Sequence, residues 1–482
     1  MKLRIVSFVI GWVLIFEAAF FLLPIICGLI YGETFEVSRY VVSAVITFIC
    51  GFILKGKRLE NLTDQLYIRE GFVSVALAWF FLSIFGAIPF WLTGEIPSFV
   101  DAVFETASGL TTTGASILTD VEALSHTSLF WRSFTHWIGG MGVFVFIMAV
   151  LPMAGARNIN LMRAESPGPS VGKFVPKMRD TAMLLYVIYI AFTVICFVCY
   201  LLGGMSPFEA ITMTFGTVGT GGFGIYANSA GSFTPLQINL MTTFMVLAGV
   251  NYSVYFCLII RNFKEIFSFE EVRLYFLMFF GFSGIIAWNI RPLYHSVSES
   301  ARHAAFQVAS IITTSGFSTV DFDRWPEVSK NILIFLMITG ACAGSTAGGF
   351  KLSRVVILVK GIGREIRSII HPEQVRKLTL DGRALSAEML RTTYAYTAIY
   401  SLVLILSVFL VSVDNFDFTT NFTGVLATLN NIGPGLAGVG PASNFSAYSF
   451  FSKCVFIFDM LAGRLELYPI LILFMPTTWR KY

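Results

Sequence analysis

Charge is what this chain has least of. Asp, Glu, Lys and Arg make up 13% of its 482 residues, about half the ~25% usual in a globular domain. Hydrophobic residues supply 56%, and Phe alone occurs 49 times. That balance excludes the soluble protein of two or three domains that the length would otherwise suggest. Cysteine and histidine are few and badly placed for chemistry. Cys27, Cys50, Cys196, Cys199, Cys257, Cys342 and Cys454 all fall in apolar runs. Only Cys196 and Cys199 stand at i, i+3, so neither a disulfide framework nor a metal site is indicated, and small buried hydrophobes remain. His126, His136, His295, His303 and His371 are scattered, with no spacing suited to a metal or a catalytic triad. The chain has no Gly-x-x-x-x-Gly-Lys-Ser/Thr phosphate loop. Gly219-Thr-Gly-Gly-Phe-Gly224 matches a dinucleotide fingerprint literally, but without the strand and βαβ setting that give the fingerprint meaning. No enzyme and no organic cofactor is expected.

What the chain does have is long apolar runs. Ile5–Ile30, Phe72–Leu92, Ala182–Leu202, Leu274–Ile290 and Ala395–Val413 approach or exceed the ~20 residues that cross a bilayer as a helix. The first is followed by more of the same and lacks a small-residue cleavage pattern, so a retained helix is expected. Basic residues cluster at Lys2 and Arg4, Lys55–Arg69, Arg157–Arg179, Arg261–Arg273, Lys351–Arg391, and Arg480 with Lys481. Between them lie acidic stretches with Glu33, Glu36, Glu95, Asp101, Asp120, Glu122, Asp321, Asp323, Glu327, Asp414 and Asp417. The positive-inside rule puts every basic cluster and both termini in the cytoplasm. A nucleic-acid surface is not indicated, because the clusters are juxtamembrane and lack interleaved aromatics.

Between cytoplasmic clusters the chain must go out and return. The first such unit is a simple helix pair; the next four share a longer plan of span, outer bend, short amphipathic stretch, Thr/Gly turn and second span. Phe104-Glu-Thr-Ala-Ser-Gly-Leu-Thr-Thr-Thr-Gly114 aligns without gaps on Phe306-Gln-Val-Ala-Ser-Ile-Ile-Thr-Thr-Ser-Gly316. Phe208–Gly222 and Phe422–Gly433 are weaker copies. The amphipathic stretch of ~10 residues reaches only ~15 Å as a helix, half the hydrocarbon core. Irregular backbone at that depth survives only where it lines a water-filled path or is buried in protein. Backbone carbonyls and Thr hydroxyls can replace the hydration of a monovalent cation without trapping it. Glycine allows the φ > 0 that turns consecutive carbonyls to one side, and the C-terminal ends of the half-helices favour cations below. The expected fold is an all-α polytopic membrane protein of about ten transmembrane helices. Four pseudo-repeats of helix, pore hairpin and helix surround one central pore behind an N-terminal helix pair.

Two further features lie outside the hairpins. The last span of the third repeat, about Asn331 to Lys360, is interrupted by Gly340, Gly344, Ser345, Thr346, Gly348 and Gly349, a run that breaks a helix at membrane depth; close packing through small residues is the competing account. Arg464 falls inside the last apolar span, Val455–Phe474, where an ionised side chain is costly and usually functional. The competing account is an ion pair with Asp459 or another helix; Glu466 stands two residues away and shares no helix face with it. Glu105 and Glu209, on the first two pore helices, fit either an outer-mouth potential or helix hydrogen bonding. Glu17, in the first span, is expected to be paired.

Thr112-Thr113-Gly114, Thr220-Gly221-Gly222, Thr314-Ser315-Gly316 and Asn431-Ile432-Gly433 resemble the filters of the Trk/Ktr/HKT potassium-transporter superfamily. The resemblance covers nearly the whole chain and is nearest the TrkH subunits of bacterial Trk systems. It extends to His136-Trp-Ile-Gly-Gly-Met-Gly142, Arg163-Ala-Glu-Ser-Pro-Gly-Pro169, Gly249-Val-Asn-Tyr252, Ala341-Cys-Ala-Gly-Ser-Thr-Ala-Gly-Gly349, Leu429-Asn-Asn-Ile-Gly-Pro-Gly435 and Gly463-Arg-Leu-Glu466. It implies one potassium pathway per subunit, with potassium at the filter residues named. It also implies a mobile loop at 340–350 that blocks the path and Arg464 projecting beneath the filter. The fourth turn departs from the Thr-rich pattern. The same resemblance implies a homodimer in the bacterial inner membrane and a cytosolic TrkA-type nucleotide-binding regulator. That regulator would dock on the basic segments Arg157–Arg179 and Gly361–Arg391. The organisation expected is 1–66 helix pair, 67–155 repeat one, 156–180 linker, 181–264 repeat two, 265–360 repeat three, 361–390 linker and 391–482 repeat four. A non-selective or sodium-coupled cation transporter of the same fold is the alternative. An organic-solute transporter would need inverted repeats, whereas these run parallel.

Overall fold

The computed structural model describes residues 3–56, 68–142, 178–374 and 377–480; the motif at 163–169 and most of the basic segment 157–179 lie outside these. Ahead of the repeats, Leu3–Phe20 continues after a break at Phe21 into Leu22–Tyr31, and Thr34–Lys55 runs back along it. A Cβ on Gly11 would overlap the backbone of Lys55 and Gly51. Small residues let these two helices approach backbone to backbone, as they do where lipid supplies no hydrophobic drive. The outer face of Thr34–Lys55 exposes Val41, Val45, Phe48, Ile49, Phe52 and Ile53, while Ser43 and Thr47 are buried. That inversion of the soluble pattern is what an apolar solvent selects.

Each repeat then opens with a long helix: Ile68–Thr93, Met178–Leu202, Glu270–Ile290 and Ala387–Val411. A pore helix follows in each: Phe99–Leu110, Pro207–Val218, Val297–Ile312 and Phe418–Leu429. Their N-termini are capped by the side chains of Ser98, Ser206, Ser296 and Asp417, each accepting from a backbone N–H three residues on. Three have 12 residues, ~18 Å of helix. The third has 16, about one turn more than the other three.

Six described stretches are long and apolar enough to cross a membrane as single helices: the two N-terminal ones and the first helix of each repeat. The returning spans are shorter or broken, and this holds beyond the third repeat, where alone the sequence suggests it. His126–Met141 stops at Gly142. Pro235–Ala248 and Tyr252–Ile259 meet at 90°. Glu327–Thr339 gives way to non-helical backbone before Leu352–Ile370, and that second half continues ten residues past 360. Phe450–Arg464 ends at Leu465–Leu467, where Glu466 (φ 56°) and Leu467 (φ 66°) adopt left-handed backbone before Tyr468–Leu473. Among the described residues six helices meet that length and hydropathy test, or seven if the bent pair of the second repeat counts as one span; the other returning paths are built from shorter helices. A short antiparallel pair, Thr379–Leu380 with Arg383–Ala384, turns at Asp381-Gly382, the sequence that a type I′ hairpin favours.

Candidate functional site

The four Thr/Gly turns have one backbone conformation. Thr112, Thr220, Thr314 and Asn431 sit at φ 55°, 55°, 54° and 55°, and Gly114, Gly222, Gly316 and Gly433 at 79°, 87°, 78° and 103°. The first of these positions closes the pore helix in a Schellman motif. The next residue's N–H returns to a carbonyl five residues back, at 2.8 Å in all four: Thr113 to Ser108, Gly221 to Gly216, Ser315 to Ser310, Ile432 to Ala427. Three β-branched threonines in left-handed backbone are held there against ~1–3 kcal/mol each. The surrounding structure therefore dictates the turn, and Asn431 takes the same φ more easily than a Thr. The departure of the fourth turn is one of side-chain chemistry, not of backbone.

The turns close a ring. A Cβ on Gly114 would overlap the carbonyl oxygen of Gly221; one on Gly222, that of Ser315; one on Gly316, that of Ile432. A Cβ on Gly433 would stand 2.8 Å from the carbonyl oxygen of Thr113. Each glycine thus receives the carbonyl of the residue just before the glycine of the next repeat, in the order one, two, three, four and back to one. Glycine is required twice over at each point, for its positive φ and for the missing Cβ. Asn431 helps to seal the last seam, its Nδ2 donating to Thr113 Oγ1 (3.0 Å) and to the Met460 carbonyl (2.9 Å). Lys453 pairs with Asp101 across the same junction at 2.7 Å.

The interrupted segment lies directly against this ring. Gly348 N–H donates to Thr314 Oγ1 at 2.7 Å, and a Cβ on Gly348 would meet Asn431 Cβ at 2.8 Å and the Asn430 carbonyl at 2.9 Å. Gly340, Gly344 and Gly349 have φ between 67° and 79°, and Lys351 has φ 76°. On its other side the loop meets the bend of the second repeat: Tyr252 N–H donates to the Gly344 carbonyl (2.9 Å) and Cys342 N–H to the Gly249 carbonyl (3.3 Å). Ser345 and Thr346 are buried, Thr346 Oγ1 reaching the Ala248 carbonyl at 3.4 Å.

Arg464 spans three of these elements. Its guanidinium donates to the Thr346 carbonyl (2.9 Å), the Gly140 carbonyl (3.0 Å) and the Gly139 carbonyl. The carboxylates expected to compete for it are engaged elsewhere: Glu466 pairs with Arg354 at 2.6 Å, and Asp459 accepts from Ser407 at 2.7 Å. Glu105 is buried, pairing with Arg132 at 2.6 Å and accepting from Ser116 and from Ile117 N–H. Glu209 belongs to a capping box and takes the Tyr226 hydroxyl. Both acids therefore serve hydrogen bonding. Glu17 departs from expectation: it is buried, and neither carboxyl oxygen has a hydrogen-bond partner among the described residues. The ion-pair partner of Glu105, Arg132, and the hydrogen-bond partners of His136, Gly109 and Phe223, were illegible in the sequence, because they lie 27 or more residues away. No cluster of His, Cys, Asp or Glu suited to a metal is found among the described residues.

Four re-entrant hairpins meeting in one ring define an α-helical membrane protein of the pore-forming transport class. A family model, TrkH, described as a cation transport protein, matches residues 39–481. The chain is 36% identical to the Trk system potassium uptake protein TrkH of Salmonella typhimurium over 493 residues and to that of Escherichia coli over 496, covering all of both chains in each case. Its fold superposes on the crystal structure of the potassium transporter TrkH from Vibrio parahaemolyticus with a TM-score of 0.89, 30% identity and full coverage of both chains. The chain belongs to the TrkH family of cation transport proteins and is a transport protein, not an enzyme.

Proposed function

We propose that this chain is the ion-translocating subunit of a Trk-type potassium uptake system. The observation that carries the reading is the closed ring of four equivalent turns, glycine against neighbouring carbonyl, at the ends of four capped half-helices. Oxygens arranged about one axis can replace the water around a dehydrated cation, and no fixed negative charge stands at the filter positions to hold it there. Thr112, Thr113, Gly114, Thr220, Gly221, Gly222, Thr314, Ser315, Gly316, Asn431, Ile432 and Gly433 form the filter, with potassium as the transported ion. Gly340, Gly344, Ser345, Thr346, Gly348 and Gly349 form the gate, held shut by Arg464. The contact of Gly348 with Thr314 and the three carbonyls around Arg464 support that assignment.

The repeats divide the chain as the basic clusters suggest, with both termini on the cytoplasmic side of the bacterial plasma membrane. A cytosolic nucleotide-binding subunit controls the gate from the basic segments, and two copies of the chain associate with one pore each. Rubidium uptake into liposomes tests the central claim. The wild-type protein admits rubidium and potassium in preference to sodium, and Gly316→Ser, which adds a Cβ where the Ile432 carbonyl stands, abolishes the preference. Unchanged preference in that variant would remove the filter assignment.

A further inference from the structure

The four filter strands share a backbone but are not stiffened alike. In the first, Thr111 Oγ1 and Thr113 Oγ1 are tied at 2.7 Å; in the third, Thr313 Oγ1 and Ser315 Oγ are tied at 2.8 Å. The second strand has glycine at both corresponding places, Gly219 and Gly221, and two more at Gly222 and Gly224. It lacks the hydroxyl tie and has the most backbone freedom to lose. The space that its missing side chain leaves is filled from the first repeat. A Cβ on Gly221 would overlap the imidazole of His136.

That ring makes two hydrogen bonds. Nδ1 bonds the Gly109 carbonyl at the end of the first pore helix (2.8 Å), and Nε2 accepts from Phe223 N–H in the second strand (3.1 Å). The two partners dictate the neutral Nδ1–H tautomer. One helical turn earlier, Arg132 donates to the Gly224 carbonyl at 2.8 Å, lies 3.6 Å over the Phe223 ring and is itself held by Glu105. Both side chains are buried.

Resting on the filter reading above, we propose that His136, with the Glu105–Arg132 pair, splints the second filter strand in place of the absent hydroxyl tie and is a determinant of ion selectivity. These are positioning residues; none of their polar side-chain atoms bonds a filter carbonyl of residues 220–222 in the structure.

Liposome flux with potassium, rubidium and sodium tests the proposal, reading the potassium-to-sodium ratio separately from flux amplitude. Misfolding lowers the number of active pores and therefore amplitude, whereas a loosened strand changes the ratio. His136→Ala is expected to lower the ratio ~5-fold or more, as loss of one or two hydrogen bonds permits. Glu105→Gln/Arg132→Gln, which removes both charges and so leaves no lone buried ion, is expected to lower it too. His136→Gln, which retains a donor and an acceptor, recovers part of the loss. A wild-type ratio in both His136→Ala and the double variant, while Gly316→Ser loses selectivity, overturns the splint and leaves the filter standing. A wild-type ratio in Gly316→Ser as well would remove the filter itself. Where His136→Ala yields no monodisperse protein, the double variant decides by the same criterion.

Discussion

Arg464 shows how one side chain can join elements far apart in sequence. Its donors reach carbonyls at positions 139, 140 and 346, the first two closing one returning helix and the last belonging to the interrupted loop. On the gate assignment proposed above, the guanidinium adds a barrier to cations, and its bonds to residues 139, 140 and 346 restrain the loop. Arg464→Ala removes both effects, so potassium flux through liposomes is expected to rise severalfold without loss of selectivity. Flux equal to wild type would reduce the residue to a structural tie. Of the carboxylates near it in sequence, Asp459 accepts from Ser407, and Glu466, discounted for its helix face, pairs with Arg354 past the break at 465–467. Proximity in sequence says little about pairing once a helix ends between two residues.

The interrupted loop is anchored by a neighbouring element. Glu271, buried at the start of the helix Glu270–Ile290, accepts from Ala343 N–H at 2.7 Å and from Ser353 N–H at 2.8 Å with the same oxygen. It thus holds both ends of the loop. The preceding residue links the same helix end to the short hairpin: Glu270 N–H donates to Asp381 and its carboxylate pairs with Lys360. Glu271→Ala leaves two buried amides without an acceptor, each costing about 1–3 kcal/mol. A lower melting temperature and a raised basal flux are expected, with Glu271→Gln intermediate because it retains an acceptor oxygen. Raised flux in Glu271→Gln equal to that of Glu271→Ala would mean that charge, not the acceptor, matters. The broken returning spans were only partly legible. Glycine marks the breaks at 139–142, 249 and 340–349, but at the last break the residues that reach positive φ, Glu466 and Leu467, are not themselves glycine.

Across the whole molecule, the N-terminal pair is fastened to the repeats by a carboxylate outside the membrane spans. Glu33 accepts from the backbone N–H groups of His126 and Thr127 (2.8 and 2.9 Å), from the Thr127 hydroxyl (2.6 Å) and from His126 Nδ1 (2.9 Å). Partial burial raises its pKa, but these hydrogen bonds outweigh burial and hold it below the usual carboxylate range. A carboxyl with a depressed folded-state pKa stabilises above its unfolded value, near 4.3, and that contribution is lost as pH falls through the lower folded value. Thermal melting in detergent should therefore show an acid-side loss that Glu33→Gln removes; the same pH profile in that variant would sink the assignment. Tyr31 stacked on His126, ring centroids 3.9 Å apart, reinforces the same joint.

Hydropathy, charge alternation and the Thr/Gly turns are local patterns, and they determined the membrane class and the four hairpins, while the twelve turn residues were assigned through the resemblance to known filters. Bilayer thickness converts the length of an apolar run into a span, and a half-length helix into a re-entrant one. Tertiary structure decided what meets what: the seam order of glycine and carbonyl, the loop packed against Thr314 and Asn431, and His136 occupying the space that Gly221 leaves. Such contacts join residues from 34 to 320 positions apart, and no periodicity along the chain encodes which side chain will fill the space of a glycine in the next repeat.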